Sequence, residues 1–271
     1  MTTQEYRAAP GLNASRLKAM LISPAHFQSD KSFDETIEMR LGSYVDAWVT
    51  ENRIPPYVIK PAHKPGDSSD KWHGAKKWCK DWLGAQKPGV EIFSEEEFER
   101  ALGMVNSLST DPLVLAVFAS CPQRQLPVFA DYRGHKMKGL LDLVGHDENG
   151  RRVIYDLKTT TERTDFEFAK HAHSLSYDMQ GVMYANILAV AESLGERPIF
   201  SWVIQESKSP YTVRVRAMPE EAWVNGQAKL DRCLELYERC IAENDWPEPG
   251  REPGEAPSIK PLPWPNWAAA N

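Results

Sequence analysis

The sequence has no closely spaced cysteines. Its four cysteines form no C-x-x-C pair: Cys79, Cys121, Cys233 and Cys240. Zinc and iron–sulfur sites usually draw their thiolate ligands from such pairs. We therefore expect four reduced thiols, and neither a structural zinc ion nor an iron–sulfur cluster.

Long hydrophobic runs are also missing. No apolar run approaches the roughly 20 residues that a membrane-spanning helix needs. The opening segment, "MTTQEYRAAPGLNASRLKAM", has no apolar core of the kind found in signal peptides. These absences predict a cytoplasmic protein that has no membrane partner.

An excess of positive charge is absent as well. The chain has 32 lysines and arginines against 38 aspartates and glutamates, which gives a formal net charge of −6. A nucleic-acid partner would therefore have to be held by a local basic patch. The 271 residues are 42% hydrophobic and 26% charged, which is typical of a soluble globular protein with an ample core. We expect one domain over residues 1–271.

Helical periodicity dominates residues 1–120. Helices are predicted in "NASRLKAMLIS", "TIEMRLGSYVDAWVTE", "KWHGAKKWCKDWLGAQ" and "SEEEFERALGMVNSLSTDPLVLAVF". Asn13 or Ser15 would cap the first, and Ser94 with Glu97 forms a capping box at the last. The segment 52–71 is rich in proline and serine, and we expect a surface loop there.

The hydrophobic period changes to two after residue 120. Three strands are predicted in "QLPVFADY", "HKMKGLLDLVGHD" and "RRVIYDLKTT", and two more in "PIFSWVIQE" and "YTVRVRAM". A mostly helical segment that ends at Gly195 separates the two groups. Residues 121–217 would thus form a sheet with its crossover helix, 218–245 a helix, and 246–271 a proline-rich tail. This order favours an α/β fold with a mixed central β-sheet flanked by helices.

The third of these strands carries two opposite charges on one face. In an alternating strand, Asp156 and Lys158 share a face with Ile154. A buried charge is costly unless it is paired or binds a metal. Two interpretations follow: a structural ion pair, or a site that holds a cation and acts on a substrate. The triplet alone favours the pair, since such triplets are common and Glu206-Ser207-Lys208 is another.

Nearby polar residues favour the cation-binding interpretation. Asp142 lies in the apolar "GLLDLV" of the preceding strand, so a hairpin can place two carboxylates around one cation. Gln180 and Tyr184 are four residues apart and project from one face of the following helix. Carboxylate oxygens suit Mg²⁺ or Mn²⁺, which can activate water and neutralise a phosphate. A lysine on the same strand can orient or deprotonate that water.

The order of these segments resembles the PD-(D/E)xK nuclease superfamily, specifically its exonuclease VIII (RecE-type) branch, a relative of lambda exonuclease. The similar core segments are "GLLDLV", "YDLKTT" and "YDMQGVMYA". The similarity extends to "ASRLKAMLISPAHF", "RLGSYVDAWVTE" and "LPWPNWA", so that it runs in family order from Leu12 to Ala268. The resemblance implies a restriction-endonuclease-like core.

The resemblance also implies roles for individual residues. The implied catalytic residues are Lys158, Asp142, Asp156, Gln180 and Tyr184. The implied metal ligands are Asp142, Asp156, the carbonyl of Leu157, and Asp46 in "GSYVDAW". Family members commonly have a histidine at the position of Asp46. Aspartate is also a hard oxygen ligand, so we expect a working ligand there; the alternative is an enzyme that has drifted.

Basic and aromatic residues alternate between Lys60 and Trp82. Lysines can screen phosphates while an aromatic ring stacks on an unpaired base. The DNA-binding candidates in this stretch are Lys71, Trp72, Lys76 and Lys77. A solvated lysine-rich helix with tryptophans packed inwards explains the pattern equally well. Ser15 and Arg16, at the start of the first helix, could hold a terminal phosphate, as helix N-termini favour anions.

Taken together, the resemblance implies a Mg²⁺-dependent 5′–3′ exodeoxyribonuclease, with Mn²⁺ as a substitute metal. It would resect double-stranded DNA ends and leave 3′ overhangs. Members of this branch form rings and work beside a single-strand annealing protein in phage recombination, so we expect a homo-oligomeric ring, a trimer or a tetramer. Two alternatives remain: a catalytically decayed DNA-end-binding module, and a single-strand or structure-selective nuclease of the RecB or Cas4 kind.

Overall fold

The computed structural model describes residues 3–29 and 36–263. The helices of its N-terminal part are α1 (Thr3–Ala8), α2 (Ala14–Ile22), α3 (Pro24–Gln28) and α4 (Ile37–Thr50). Asn13 caps α2 by accepting a hydrogen bond from the backbone N–H of Arg16, as one of the two predicted caps. The chain restarts as α3 directly after Ser23, since the Ser23 side chain caps the new helix and Pro24 occupies its first turn.

The segment predicted as a loop contains short strands. They are β1 (Tyr57–Ile59), β2 (His63–Lys64) and β3 (Asp67–Lys71), and β1 pairs in parallel with β4 (Glu91–Phe93). β2 and β3 form a hairpin that turns at Gly66, whose φ of +84° suits glycine. The helix expected to begin near Lys71 begins later, as α5 (Lys77–Gly84), because the hairpin uses the first of those residues.

Two helices follow β4 where one or two were expected. α6 (Glu95–Thr110) begins with the predicted capping box of Ser94 and Glu97, which is confirmed. α7 (Pro112–Ser120) starts after Asp111, whose side chain caps it. Within the described ranges, no single helix has the length and apolar character to cross a membrane, although the bent pair of α6 and α7 meets that test on length and composition.

A five-stranded sheet forms the centre of the fold. Its strands are β5 (Gln123–Tyr132), β6 (His135–His146), β7 (Arg152–Thr160), β8 (Ile199–Glu206) and β9 (Val213–Ala217), in that spatial order. β7 and β8 are parallel, and the other neighbours are antiparallel. The parallel pair is joined by α8 (Asp165–Ser174) and α9 (Tyr177–Ala191), as a parallel connection requires. The predicted α/β fold with a mixed central sheet is therefore confirmed.

Helices cover both faces of this sheet. One core cluster contains Ile154 and packs against α9 and α10 (Glu220–Glu243). The other contains Val153 and packs against α4, α6 and α7. Each fully buried Leu, Ile or Phe side chain in these clusters contributes about 1.5–3 kcal/mol. The alternation predicted for β7 is confirmed, since its two faces enter two different cores.

Two smaller expectations have different outcomes. α9 ends at Ala191, four residues before Gly195, and Ser193 takes a left-handed conformation (φ +53°). The prediction of Gly195 as the residue that ends the helix is therefore wrong. The tail is irregular as far as residue 263, and most of the "LPWPNWA" segment lies outside the described residues.

Candidate functional site

The site begins where two neighbouring strands part. The pairing of β6 with β7 runs as far as Leu143 and Tyr155, and Asp142 and Asp156 are the next residue on each strand. Beyond this point, the backbone N–H of Leu157 donates to Asp142 Oδ2 at 2.9 Å. The carboxylate thus occupies the place of a main-chain acceptor, and a fork opens between the strands.

Asp156 is held from two sides. Only 2% of the residue is exposed, and its Oδ2 forms an ion pair with Lys158 Nζ. Gln180 Nε2 donates to its Oδ1 at 3.1 Å. Burial works to lower the pKa of Lys158, but the charges of Asp156 and Asp142 outweigh burial and raise it. The neighbouring carboxylates therefore favour the protonated form of Lys158.

Asp46 reaches the fork from α4. The helix approaches β7 closely at Gly42, where an added Cβ would lie 2.5 Å from Thr159 Oγ1. One turn further along the helix, Asp46 Oδ2 accepts a hydrogen bond from Gln125 Nε2 at 3.0 Å. Asp46 Oδ1 is buried and has no hydrogen-bond partner among the residues that the structure describes.

Electrostatic repulsion links the three carboxylates. Burial, and then the charge of Asp156, raises the pKa of Asp46 to about 6. Burial, and then the charges of Asp46 and Asp156, raises the pKa of Asp142 well above its usual range. Carboxylates that disfavour one another's charge in this way are stabilised by a shared cation.

One polar cavity joins these groups. It has a volume of about 210 Å³ and is lined by Gly42, Ser43, Asp46, Asp142, Asp156, Leu157, Lys158, Thr159 and Gln180. All the residues predicted as metal ligands line it, together with the predicted lysine and glutamine. The sequence-derived residues therefore meet at one place, although they come from four different elements.

A hydrogen-bond network on α9 fixes the orientation of the Gln180 amide. Lys18 Nζ donates to Gln180 Oε1 at 2.9 Å. Gln180 Nε2 in turn donates to Asp156 and, at 3.2 Å, to the Tyr184 hydroxyl. Burial, and then the carboxylates Asp156 and Asp142, raises the pKa of Tyr184 well above its usual range, so Tyr184 stays a neutral phenol beside the amide.

Sequence reasoning did not single out Lys18 as part of the site. Its ammonium lies 4.8 Å from the ring centroid of Tyr177, as does that of Lys158. Burial, and then the charge of Lys158, lowers the pKa of Lys18 to about 7. The lysine stands within the similar segment "ASRLKAMLISPAHF", but its spacing to α9 is a property of the tertiary fold. Gln125 was missed for the same reason.

The residues at the fork fit a divalent cation. They offer three carboxylates and a backbone carbonyl, which are hard oxygen donors, and Asp46 Oδ1 is buried without a hydrogen-bond partner among the described residues. In the described part of the chain, no three His, Cys, Asp or Glu side chains form a group that could by itself hold a metal ion. Bound metal would therefore depend on the backbone carbonyl of Leu157, on water, or on a shift of Lys158 away from Asp156.

The predicted DNA-contact residues lie outside the cavity. Trp72 packs edge-on against Trp78 and Trp82, with ring centroids 5.2 and 5.5 Å away. Lys76 is paired with Asp70, whereas Lys71 and Lys77 are exposed. These contacts favour the packed interpretation for Trp72 and leave the two exposed lysines available to a phosphate backbone.

The phosphate-contact candidates on α2 are both exposed. Ser15 and Arg16 stand in its first turn. The Arg16 guanidinium lies 4.3 Å from the Phe27 ring centroid, so its head group rests on α3. Neither residue lines the cavity.

Comparison with known proteins shows one family and one fold. The family model described as "PDDEXK-like domain of unknown function (DUF3799)" matches residues 13–255. A 2.19 Å crystal structure of a candidate exonuclease from Eubacterium rectale superposes with a TM-score of 0.63 at 15% identity, over 97% of this chain and 96% of the other. The structure of SSO0001 aligns over 52% of this chain and 63% of its own, at 14% identity and a TM-score of 0.31. No curated protein sequence is significantly similar to the chain.

Proposed function

The chain belongs to the PDDEXK-like family DUF3799 within the PD-(D/E)xK nuclease superfamily, and from this premise we propose that it is a Mg²⁺-dependent exodeoxyribonuclease. One observation carries the proposal. The carboxylates of Asp142 and Asp156 lie where β6 and β7 separate, and they line a single polar cavity with Lys158 and Gln180.

Asp142, Asp156, the Leu157 carbonyl and Asp46 would hold the metal. Mg²⁺ is the expected ion because all the donors are oxygens, and Mn²⁺ would substitute for it. When bound, such an ion lowers the pKa of a water molecule and neutralises negative charge on a phosphate. Asp46 would serve as an oxygen ligand in place of the histidine common in the related exonucleases.

Lys158 would act as a cation at the reacting phosphate. The carboxylates around it keep it protonated, so it can donate hydrogen bonds to a phosphate oxygen or to the attacking water. An ammonium in a site with little water stabilises the developing charge of the transition state. Its ion pair with Asp156 holds it at the fork before substrate binds.

Gln180 would position the substrate strand and Asp156, the ion-pair partner of Lys158. Its amide N–H groups point to Asp156 and Tyr184, and its carbonyl accepts from Lys18. Because both polar atoms of the amide already form hydrogen bonds, the amide is preorganised. Preorganised groups avoid reorganisation during the reaction.

The direction and context of digestion follow from the resemblance to exonuclease VIII. We propose 5′–3′ resection of double-stranded ends that leaves 3′ overhangs for strand annealing during phage recombination. We also propose a trimeric or tetrameric ring around DNA and a single-strand annealing protein as partner. The likeness to a structure described as a candidate exonuclease supports the choice of an end-directed enzyme.

A linear duplex labelled at either end tests this proposal. Purified protein with Mg²⁺ should release the 5′ label before the 3′ label, and circular duplex should resist. Earlier release of the 3′ label would contradict the polarity. Cleavage of circular DNA would identify an endonuclease, and preferential digestion of single strands would favour the RecB- or Cas4-like alternative. Binding to ends without digestion would favour the decayed module.

A further inference from the structure

Gln125, at the start of the central sheet, has an unusual backbone. Its φ is +47°, a left-handed value that side chains other than Gly, Asn and Asp rarely adopt. The register pairs on either side of it, Arg124 with Leu143 and Leu126 with Leu141, place Gln125 opposite Asp142. A residue with a strained backbone thus lies opposite a predicted metal ligand on the neighbouring strand.

The side chain of Gln125 forms hydrogen bonds to two residues of α4. Its Nε2 donates to Asp46 Oδ2 at 3.0 Å and to Thr50 Oγ1 at 3.2 Å. The Thr50 hydroxyl donates back to the Asp46 carbonyl at 2.7 Å. Both amide protons are therefore used, and within the described residues the carboxylate of Asp46 accepts a hydrogen bond through only one of its oxygens.

The other oxygen of Asp46 is the one that a cation needs. Oδ1 is buried and has no hydrogen-bond partner among the described residues, and Asp46 lines the polar cavity with Asp142 and Asp156. A carboxylate that accepts a hydrogen bond through one oxygen can bind a cation through the other. In metal sites, residues that form hydrogen bonds to the ligands orient those ligands.

We infer that Gln125 is a positioning residue of the metal centre, which holds Asp46 so that Oδ1 remains available to the cation. The inference rests on the proposed function, because it assumes that the cavity binds a divalent ion. It adds a residue from the edge strand β5 that acts on the metal only through Asp46.

A merely structural link between β5 and α4 would not need this amide. Arg124 already connects the two elements, since its guanidinium donates to the carbonyls of Val49 and Thr50, each at 3.3 Å. Arg124→Met removes that link and leaves Asp46 untouched. It is therefore the matched control for a change at Gln125.

Metal affinity and thermal stability separate the two roles. Mn²⁺ binding to the full chain should be measured by calorimetry in the wild type, Gln125→Gly, Asp46→Asn, the double variant and Arg124→Met. Glycine relieves the left-handed backbone, which offsets part of the stability lost with the hydrogen bonds to Asp46 and Thr50, so Gln125→Gly should lower the melting temperature by no more than Arg124→Met does. It should nevertheless bind Mn²⁺ about 10–100-fold more weakly. Arg124→Met should lower the melting temperature and bind Mn²⁺ as the wild type does.

The double variant decides whether Gln125 acts through Asp46. Once Asp46→Asn has weakened binding, adding Gln125→Gly should cause no further loss of affinity. Gln125→Asn, which also tolerates left-handed backbone but has a shorter amide, should behave as Gln125→Gly does. Two results would overturn the inference and leave the proposed function standing. One is wild-type Mn²⁺ affinity in Gln125→Gly, and the other is that Gln125→Gly weakens Mn²⁺ binding equally in the wild-type and Asp46→Asn backgrounds. Absence of Mn²⁺ binding by the wild type would overturn the proposed function, and the inference with it.

Discussion

Asp142 and Leu157 are joined across the fork between two strands: the Leu157 backbone N–H donates to Asp142 Oδ2 at 2.9 Å. Asp142 therefore has two roles that oppose each other in the metal-free protein. Its carboxylate satisfies a partly buried N–H, which stabilises the fold. Burial, and then the charges of Asp46 and Asp156, disfavour its ionised form and raise its pKa, which destabilises the fold while no cation is present.

Substitutions at Asp142 should separate these two roles. Asp142→Asn keeps an oxygen acceptor for Leu157 and removes the charge, so in EDTA it should melt above the wild type. Asp142→Ala loses the acceptor as well, and should be less stable than Asp142→Asn by about 1–3 kcal/mol. Both should lose Mg²⁺ binding. Thermal melts and calorimetry measure the two effects, and an Asn variant no more stable than the Ala variant would contradict the assignment.

The contribution of Asp46 to the stability of the metal-free protein should fall as the pH rises from about 4 to about 6. Asp46 has an ordinary pKa of 3.8 when unfolded and about 6 when folded, so the folded state binds more protons between these values. The free energy of unfolding should therefore fall between about pH 4 and pH 6 by an amount on the order of 2 kcal/mol. Asp46→Asn should abolish most of this fall in EDTA. An equal pH dependence in wild type and variant would show that Asp46 is not the group responsible.

The contribution of Lys18 to stability should change with pH in the opposite direction to that of Asp46. Its pKa falls from 10.5 to about 7 on folding, so the unfolded chain binds more protons between these values and stability should rise with pH across them. Lys18→Met should flatten this rise, measured as the difference in unfolding free energy between pH 6 and pH 9. Lys170→Met, at an exposed position, controls for the loss of one positive charge. A variant that keeps the wild-type slope would contradict the burial of Lys18.

The close approach of α4 to β7 should tolerate no side chain. Gly42→Ala places a Cβ 2.5 Å from Thr159 Oγ1, and such overpacking costs about 1–3 kcal/mol. Because Asp46 follows one turn later, Mn²⁺ affinity should fall too. Gly84→Ala is the control: its Cβ would meet nothing within 4 Å in the described part of the chain, and stability should stay equal or rise slightly. Equal melting temperatures for the two variants would refute the close approach.

Local patterns were sufficient to predict the core of the site. The period of two placed Asp156 and Lys158 on one face of β7, and the hairpin rule placed Asp142 on the neighbouring strand. The spacing of Gln180 and Tyr184 predicted that both would project together, and they share a hydrogen bond. These relations depend on residues close in sequence or on adjacent strands, so the sequence carries them directly.

Relations between distant elements could not be predicted in this way. Lys18 reaches Gln180 because α2 lies beside α9. Gln125, whose backbone is left-handed, reaches Asp46 because the start of β5 lies beside α4. The hairpin at 63–71 also escaped prediction, since its strands are short and mostly exposed and carry no hydrophobic alternation. Tertiary packing decides the contacts of Lys18 and Gln125, and no local pattern reports it.

Digestion of linear duplex DNA by wild type and Lys158→Ala, each with Mg²⁺ and with EDTA, tests the central claim most directly. Melting curves should first confirm that the variant folds, because Asp156 loses its ion-pair partner. Lys158→Arg, which keeps a cation, serves as a second variant. The account predicts digestion by the wild type in Mg²⁺ only, and a rate about 10²–10³-fold lower in folded Lys158→Ala. Digestion in EDTA, or a folded Lys158→Ala as fast as the wild type, would contradict it.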